Sequence, residues 1–319
     1  MTDSQKYRLI TRADFDGLVC AVLLKERGLI DQITFVHPKD MQDGRVPVDA
    51  SVITTNLPYV DGCYLAFDHH ASEVRRLGGK RPANQIIDPD APSAARVVWD
   101  YYGGHEAFPN VSDEMMWAVD RGDSALFTED EVRDPHGWVL LNFIMDSRTG
   151  LGRFHDFRIS NFDLMMQLID HCRAHTIDEI LALPDVAARV RLYRDQLPMA
   201  QEQIRRCSTV YGNLVVLDLR NEAVIHPTNR FTIYALYPEC NISMYVMRGR
   251  MSETTVFAMG NSILNRTSEV DIGSLAFKTG GGGHRNAGTC QVETAEADRV
   301  LAQLIEEITA TQPAAAPIR

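Results

Sequence analysis

The chain has 319 residues, about twice the usual length of one domain, which sets the expectation at two. With 45% hydrophobic and 24% charged residues it is neither disordered nor collagen-like, and no apolar run reaches the roughly 18–20 residues of a bilayer span. A net charge of −11 excludes a general binder of long duplex nucleic acid, so any polyanionic ligand has to meet local positive charge or bound metal.

Taken in chain order, Tyr7–Thr11 reads as a short strand and Gly17–Arg27 as a helix with apolar spacing at Leu18, Val19, Ala21, Val22 and Leu24. Ile33–His37, Val52–Thr55 and Tyr64–Phe67 are further short strands. Pro92 suits a first helical position, and Gly103 and Gly104 close the helix that ends near Tyr102. Ser112 is an N-cap for a helix running toward Asp120. Strands alternating with helices predict an α/β fold with an N-terminal, mostly parallel open sheet over residues 1–185.

Helical texture follows. Thr176 and Glu179 form a capping-box pair, and Asp185–Cys207 reads as one long helix interrupted or kinked at Pro198, so residues 186–210 are the expected connector. Residues 211–319 form a smaller C-terminal α/β domain, with strands at Asn213–Leu219, Asn241–Met247 and Thr254–Met259 and an amphipathic helix at Ala295–Thr309. Thr311–Arg319 reads as a loose tail. Met1–Lys6 lacks the features of a signal peptide, and six cysteines without CxxC spacing fit reduced thiols, so the expected location is cytoplasmic.

Three motifs carry chemistry. Asp14-Phe15-Asp16-Gly17 follows the first strand, where two carboxylates two residues apart can face one point, although an Asp there can also simply cap the helix. Asp68-His69-His70 follows the strand Tyr64–Phe67; one histidine can ligate a metal while the other faces substrate, and Asp68 can accept a ring N–H. In an open α/β sheet, ligands bind beyond the carboxyl ends of the strands, where Asp14, Asp16, Asn56, Asp68 and His69 all fall. Asp120 and Asp123 are placed to complete the cluster, and oxygen plus imidazole donors without thiolate suit Mn²⁺ or Mg²⁺. Finally, Gly280-Gly281-Gly282-Gly283-His284-Arg285 offers converging backbone N–H groups with adjacent donors, suited to an anion.

The order Asp-x-Asp-Gly, Asp-His-His, an Asp after a helix, and Gly-Gly-Gly-His-x-x-Ala-Gly resembles the DHH phosphoesterase superfamily over nearly the whole chain. Asn56-Leu57-Pro58-Tyr59 and Ala91-Pro92-Ser93-Ala94-Ala95 look most like its exopolyphosphatase-related branch. The resemblance implies a hydrolase with a two-metal site, usually Mn²⁺, with Asp14, Asp16, His69 and Asp120 as ligands and Asp123 as the rival to Asp120. It implies His70 facing phosphate, and Gly281, Gly282, Gly283, His284 and Arg285 holding substrate. Two positions depart from the family pattern: Arg12 stands where most members carry a metal-ligating His or Asp, and Asn56 where most carry a bridging Asp. One metal then binds, or Asp123, His37 or Asp49 substitutes, or catalysis is lost; Arg12 itself can contact phosphate.

The function expected is hydrolysis of a phosphoester or phosphoanhydride in a small substrate such as a short oligonucleotide, cyclic dinucleotide or polyphosphate, with one or two ions bound. The alternative is a catalytically weakened phosphate or nucleotide sensor. No membrane partner is expected, and a homodimer is the expected oligomer. His171 and His175 read as an ordinary helix face, and Phe231, Tyr234 and Tyr237 as core rather than a base-stacking platform.

Overall fold

Short β-branched and apolar runs alternate with helices through the first half of the chain, and each run becomes a parallel strand. A computed structural model describes residues 6–154, 156–249 and 253–310. Its first half contains β1 (Tyr7–Arg12), α1 (Phe15–Glu26), β2 (Ile30–Val36), α2 (Pro38–Gln42), β3 (Val52–Thr55), β4 (Leu65–Asp68), α3 (Ala71–Arg76), β5 (Gln85–Ile87), α4 (Ala94–Tyr102) and α5 (Asp113–Asp123). The five strands form one sheet in the order β2-β1-β3-β4-β5, parallel throughout.

Side chains alternate across this sheet. Leu9 and Ile53 face the main core around α1, whereas Ile10 and Val52 join Met41 and Leu57 in a smaller cluster. Both faces are thus covered, as a parallel sheet requires. Helix α1 is apolar around its circumference and buries every residue from Phe15 to Leu24. Gly17 permits its approach to β1, because a Cβ there would lie 2.0 Å from the Arg12 carbonyl oxygen. The glycine of the Asp-x-Asp-Gly motif is therefore a packing requirement of the helix that carries the acids.

The chain order reverses between β1 and β3, so the loops after these strands flank the switch point where open α/β sheets bind ligands. Ser93 caps α4, its side chain accepting from Arg96 N, so Pro92 lies just before the cap and not at the first helical position expected of it. Gly103 ends that helix in the left-handed conformation, and Ser112 caps α5.

The helices continue with α6 (Glu129–Arg133), α7 (Gly137–Met145), α8 (Asn161–Ala174), α9 (Ile177–Ala182) and α10 (Pro184–Cys207). Thr176 and Glu179 form the capping box of α9. Helix α10 runs unbroken through Pro198; a proline removes one hydrogen bond, and the helix absorbs that loss. Contacts divide the chain into two compact units: Met1–Leu126 with Pro135–Tyr193, and Phe127–Asp134 with Arg194–Arg319. The second unit includes α6, held by Asn229 Nδ2 donating to Val132 O at 2.9 Å.

The second unit also contains β6 (Ser208–Tyr211), β7 (Leu214–Asp218), α11 (Thr232–Leu236), β8 (Ile242–Arg248), β9 (Thr254–Asn261), α12 (Ile272–Lys278), β10 (Gly282–His284), β11 (Ala287–Glu293) and α13 (Ala297–Ala310). Its six-stranded sheet has the order β10-β11-β9-β8-β7-β6, with β7 and β8 parallel and the other pairs antiparallel. Val300, Leu304 and Ile308, four residues apart on α13, pack with Ile272 and Leu275 of α12. Phe231 and Tyr234 are buried, with Tyr234 Oη 2.7 Å from Ser243 Oγ, so both belong to the core. Thr311–Arg319 lies outside the described residues. No helix among the described residues is long and apolar enough to cross a membrane.

Candidate active site

The acids of the first motif sit where β1 gives way to α1. Asp14 is the N-cap, and its Oδ1 accepts from Gly17 N at 2.9 Å, so the capping role is real. The same oxygen accepts from Asn56 Nδ2 at 3.1 Å, and Oδ2 lies 2.9 Å from Arg12 Nε. Burial raises the Asp14 carboxyl, and the Arg12 charge opposes that rise. Asp16 points the other way, to the N-terminus of α4: its Oδ2 accepts from Ala94 N at 2.9 Å and its Oδ1 from Ala95 N at 2.8 Å. Those amides are unpaired by the helix itself and favour an anion.

His69 follows β4 and is held by its backbone-side nitrogen. Nδ1 lies 3.1 Å from the carbonyl oxygen of Ala91, which assigns the ring proton to Nδ1 and turns Nε2 inward. Nε2 is 2.9 Å from Asp123 Oδ2 and 4.0 Å from Asp16 Oδ2. Despite the short distance to Asp123, Nε2 forms no aligned hydrogen bond and is buried. Asn56 Oδ1 is a second buried acceptor with no hydrogen-bond partner. Asn56 has φ 54°, a left-handed conformation that Asn tolerates, and its N–H donates to Phe67 O at 3.0 Å.

One donor atom each from Asp16, His69 and Asp123 lie within 4.8 Å of one another, a set that can hold a metal. Two carboxylates and an imidazole fit a divalent cation by their chemistry, and the ring proton on Nδ1 leaves Nε2 free as a donor. The proton balance agrees. Burial and the Asp123 charge push Asp16 up to about 7. Burial works against a charged His69, yet the contact with Asp123 and the nearby Asp16 raise it to about 9. Protons thus occupy ground a cation would take. Metal affinity should accordingly rise with pH through the range from 6 to 9, by up to about tenfold per unit for each proton displaced. Calorimetry of Mn²⁺ binding at pH 6 in two buffers of different ionisation enthalpy counts those protons, and a count of zero would contradict this arrangement.

The remaining candidates fall around this cluster in different ways. Asp68 is buried at the end of β4 and its Oδ1 lies 2.8 Å from His70 Nδ1, so it orients a histidine and is not among the three donors of the cluster. Burial disfavours a charged His70, but the Asp68 hydrogen bond outweighs it and the ring is raised. Asp120, favoured over Asp123 by the sequence, accepts from Ser93 Oγ at 2.7 Å and from Arg96 Nε at 3.0 Å instead. Asp123, one helical turn later on α5, is the acid brought to His69. His37 accepts from Lys39 N and Asp49 from Ser51, and neither joins the cluster.

In the second unit, Gly281, Gly282, Gly283, His284 and Arg285 lie along β10 and its turn. Gly283 pairs with Gly288 and His284 with Ala287, which makes β10 an edge strand. A Cβ at Gly281 would sit 2.1 Å from Thr289 O, and one at Gly283 2.2 Å from Ala287 O, so these glycines answer to close packing. Gly282 meets nothing within 4 Å and is open.

Three features went unread in the sequence: the Ala91 carbonyl that orients His69, the Ala94 and Ala95 amides that hold Asp16, and Arg148. The Arg148 Nε bonds Asp146 at 2.7 Å, and its charge also acts on Asp14 and Asp123. Backbone groups have no side-chain signature. A capped helix start at Ser93 was the available clue to the amides.

The chain is similar over 96% of its length, and over 100% of the other chain, to the pGpG-specific phosphodiesterase PggH from Vibrio cholerae, with 58% sequence identity and a TM-score of 0.84. It belongs to the DHH phosphoesterase superfamily. RecJ from Thermus thermophilus, in complex with Mn²⁺, shares the fold at 14% identity and a TM-score of 0.52, with 97% of this chain and 53% of that one covered. No family model matches the chain, and the search of curated proteins returns no match. As a DHH protein the chain is a metal-dependent phosphohydrolase. The exopolyphosphatase-related branch gains no specific support from these similarities.

Proposed function

We propose that this DHH enzyme hydrolyses the phosphodiester of linear dinucleotides of the pGpG type, with a divalent ion held by Asp16, His69 and Asp123. The observation that carries the metal assignment is the buried Nε2 of His69, anchored through Nδ1 and facing two carboxylates without a hydrogen bond of its own. The substrate class rests on the 58% identity to PggH. Imidazole among the donors favours Mn²⁺ over Mg²⁺. Asn56 Oδ1, buried and unpartnered, is the candidate for a further neutral ligand.

When bound, the ion supplies a water of lowered pKa and neutralises charge on the phosphoryl oxygens. The residues of the chain do the positioning. Asp16 is fixed by two amides and His69 by a carbonyl, so neither has to reorganise. His70, oriented by Asp68, presents its Nε2 side as a proton donor toward the phosphate or the leaving 3′ oxygen. Breaking the P–O3′ bond with one water gives two 5′-mononucleotides. The open Gly282 with Gly281, Gly283, His284 and Arg285 forms a second candidate phosphate-binding element. The six free cysteines accord with work in a reducing cytoplasm.

The test is turnover with Mn²⁺ on pGpG, pApA, cyclic di-GMP, pyrophosphate and short polyphosphate. We expect pGpG to have the highest kcat/KM, by about 10²-fold or more over the cyclic dinucleotide, since an unbroken ring lacks the terminal phosphate. Preference for polyphosphate would overturn the substrate assignment.

A further inference from the structure

The two-metal expectation does not fit this chain's first acid. Both Asp14 oxygens already have partners: Oδ1 accepts from Gly17 N at 2.9 Å and Asn56 Nδ2 at 3.1 Å, and Oδ2 is in an ion pair with the Arg12 guanidinium, Nε at 2.9 Å. The Asn56 amide cannot be turned over, because its oxygen would then face the Asp14 carboxylate. A carboxylate at that position would bring a second negative charge against Asp14, whereas Asn56 brings a donor.

The neighbouring acids tell the same story. Asp120 is paired with Arg96, Asp146 with Arg148, and Asp68 with His70. Asp14 is paired with Arg12. Only Asp16 and Asp123, with His69 between them, remain as a carboxylate set for a divalent ion among the described residues. A second dication beside Asp14 would have to sit against the Arg12 guanidinium, with no unpaired carboxylate to offset the repulsion.

We infer that the enzyme holds one metal ion, and that Arg12 stands in for the second cation by binding a phosphoryl oxygen of the substrate. The inference rests on the metal reading of Asp16, His69 and Asp123 given above. Arg12 is suited to the task. Its side chain is 34% exposed, its closest approach to Asp14 is through Nε, and neither terminal nitrogen makes a hydrogen bond among the described residues. Those two nitrogens form the fork that matches phosphate oxygens, and the ion pair with Asp14 holds the guanidinium beside the acid loop. The sequence departures at Arg12 and Asn56 thereby become one device: the amide removes a bridging charge and the guanidinium fills the space.

The decisive experiment counts metal on the full chain. After equilibration with Mn²⁺ and removal of free ion, elemental analysis should find one Mn²⁺ per chain, and the low-temperature paramagnetic resonance spectrum should show uncoupled six-line Mn²⁺. Two ions per chain with an exchange-coupled spectrum would overturn this inference and leave the proposed function standing. No bound ion would overturn both. For the Arg12 role, Arg12→Ala should keep one Mn²⁺ while raising KM for pGpG by roughly 10- to 100-fold, the loss of a charge-assisted contact. An unchanged KM and kcat would refute the phosphate contact.

Discussion

His69→Ala should leave a folded protein that retains no Mn²⁺ after desalting and hydrolyses its substrate at least about 10³-fold more slowly, the equivalent of about 4 kcal/mol of lost barrier reduction. The size follows from position. His69 Nε2 is the one neutral donor between Asp16 and Asp123, at 4.0 and 2.9 Å. Without it, the buried Asp16 and half-buried Asp123 carboxylates face each other across the space the ring occupied, and one of them takes a proton rather than a metal. The Ala91 carbonyl loses its donor as well, at a cost of about 1 kcal/mol in stability. Added imidazole should restore part of the metal content. Normal turnover with Mn²⁺ still bound in the variant would exclude the cluster as the metal site.

The second large effect separates two aspartates on one helix. Asp123→Asn should weaken Mn²⁺ binding by about 100-fold or more and lower kcat strongly, because it replaces a charged donor that faces His69. Asp120→Asn should keep the metal. Its carboxylate holds Ser93 Oγ and Arg96, so its loss should appear in thermal stability, at about 1–3 kcal/mol, with a smaller effect on turnover through the start of α4. The two variants share a charge change and a helix, so comparison of Mn²⁺ affinity and melting temperature distinguishes the roles. The reverse pattern would return the ligand assignment to Asp120.

The choice between these aspartates shows where sequence reading stops. Asp120 and Asp123 are one turn apart and fall on neighbouring positions of the same face, so periodicity cannot rank them. Arg96, on a different helix, pairs with Asp120 and leaves Asp123 beside His69, which the sequence alone does not show. The parallel sheet was legible because its strands are short apolar runs with helical spacing between them, and Ser112, Gly103 and the Thr176–Glu179 box marked helix ends by their own chemistry. Helix α7 was not, since Gly137–Met145 is apolar nearly all round and shows no period. Strand β5 has only three residues and is recognisable through its pairing with β4. The motifs supply the residues of the candidate site. What each motif residue does was decided by partners far away in the chain: Ala91 for His69, Ala94 and Ala95 for Asp16, Asn56 for Asp14.

Helix α1 turns no side of its first ten residues to water. Its amide hydrogens should therefore be the slowest to exchange in the first unit, released when its core opens. Asp14 and Asp16 sit at its first turn, so the loop bearing them is tied to the slowest-exchanging segment of that unit. Denaturant or heat should accordingly leave this end of the site intact until the global transition and then erase it at once, with no range of conditions in which the sheet persists and the acid loop is lost.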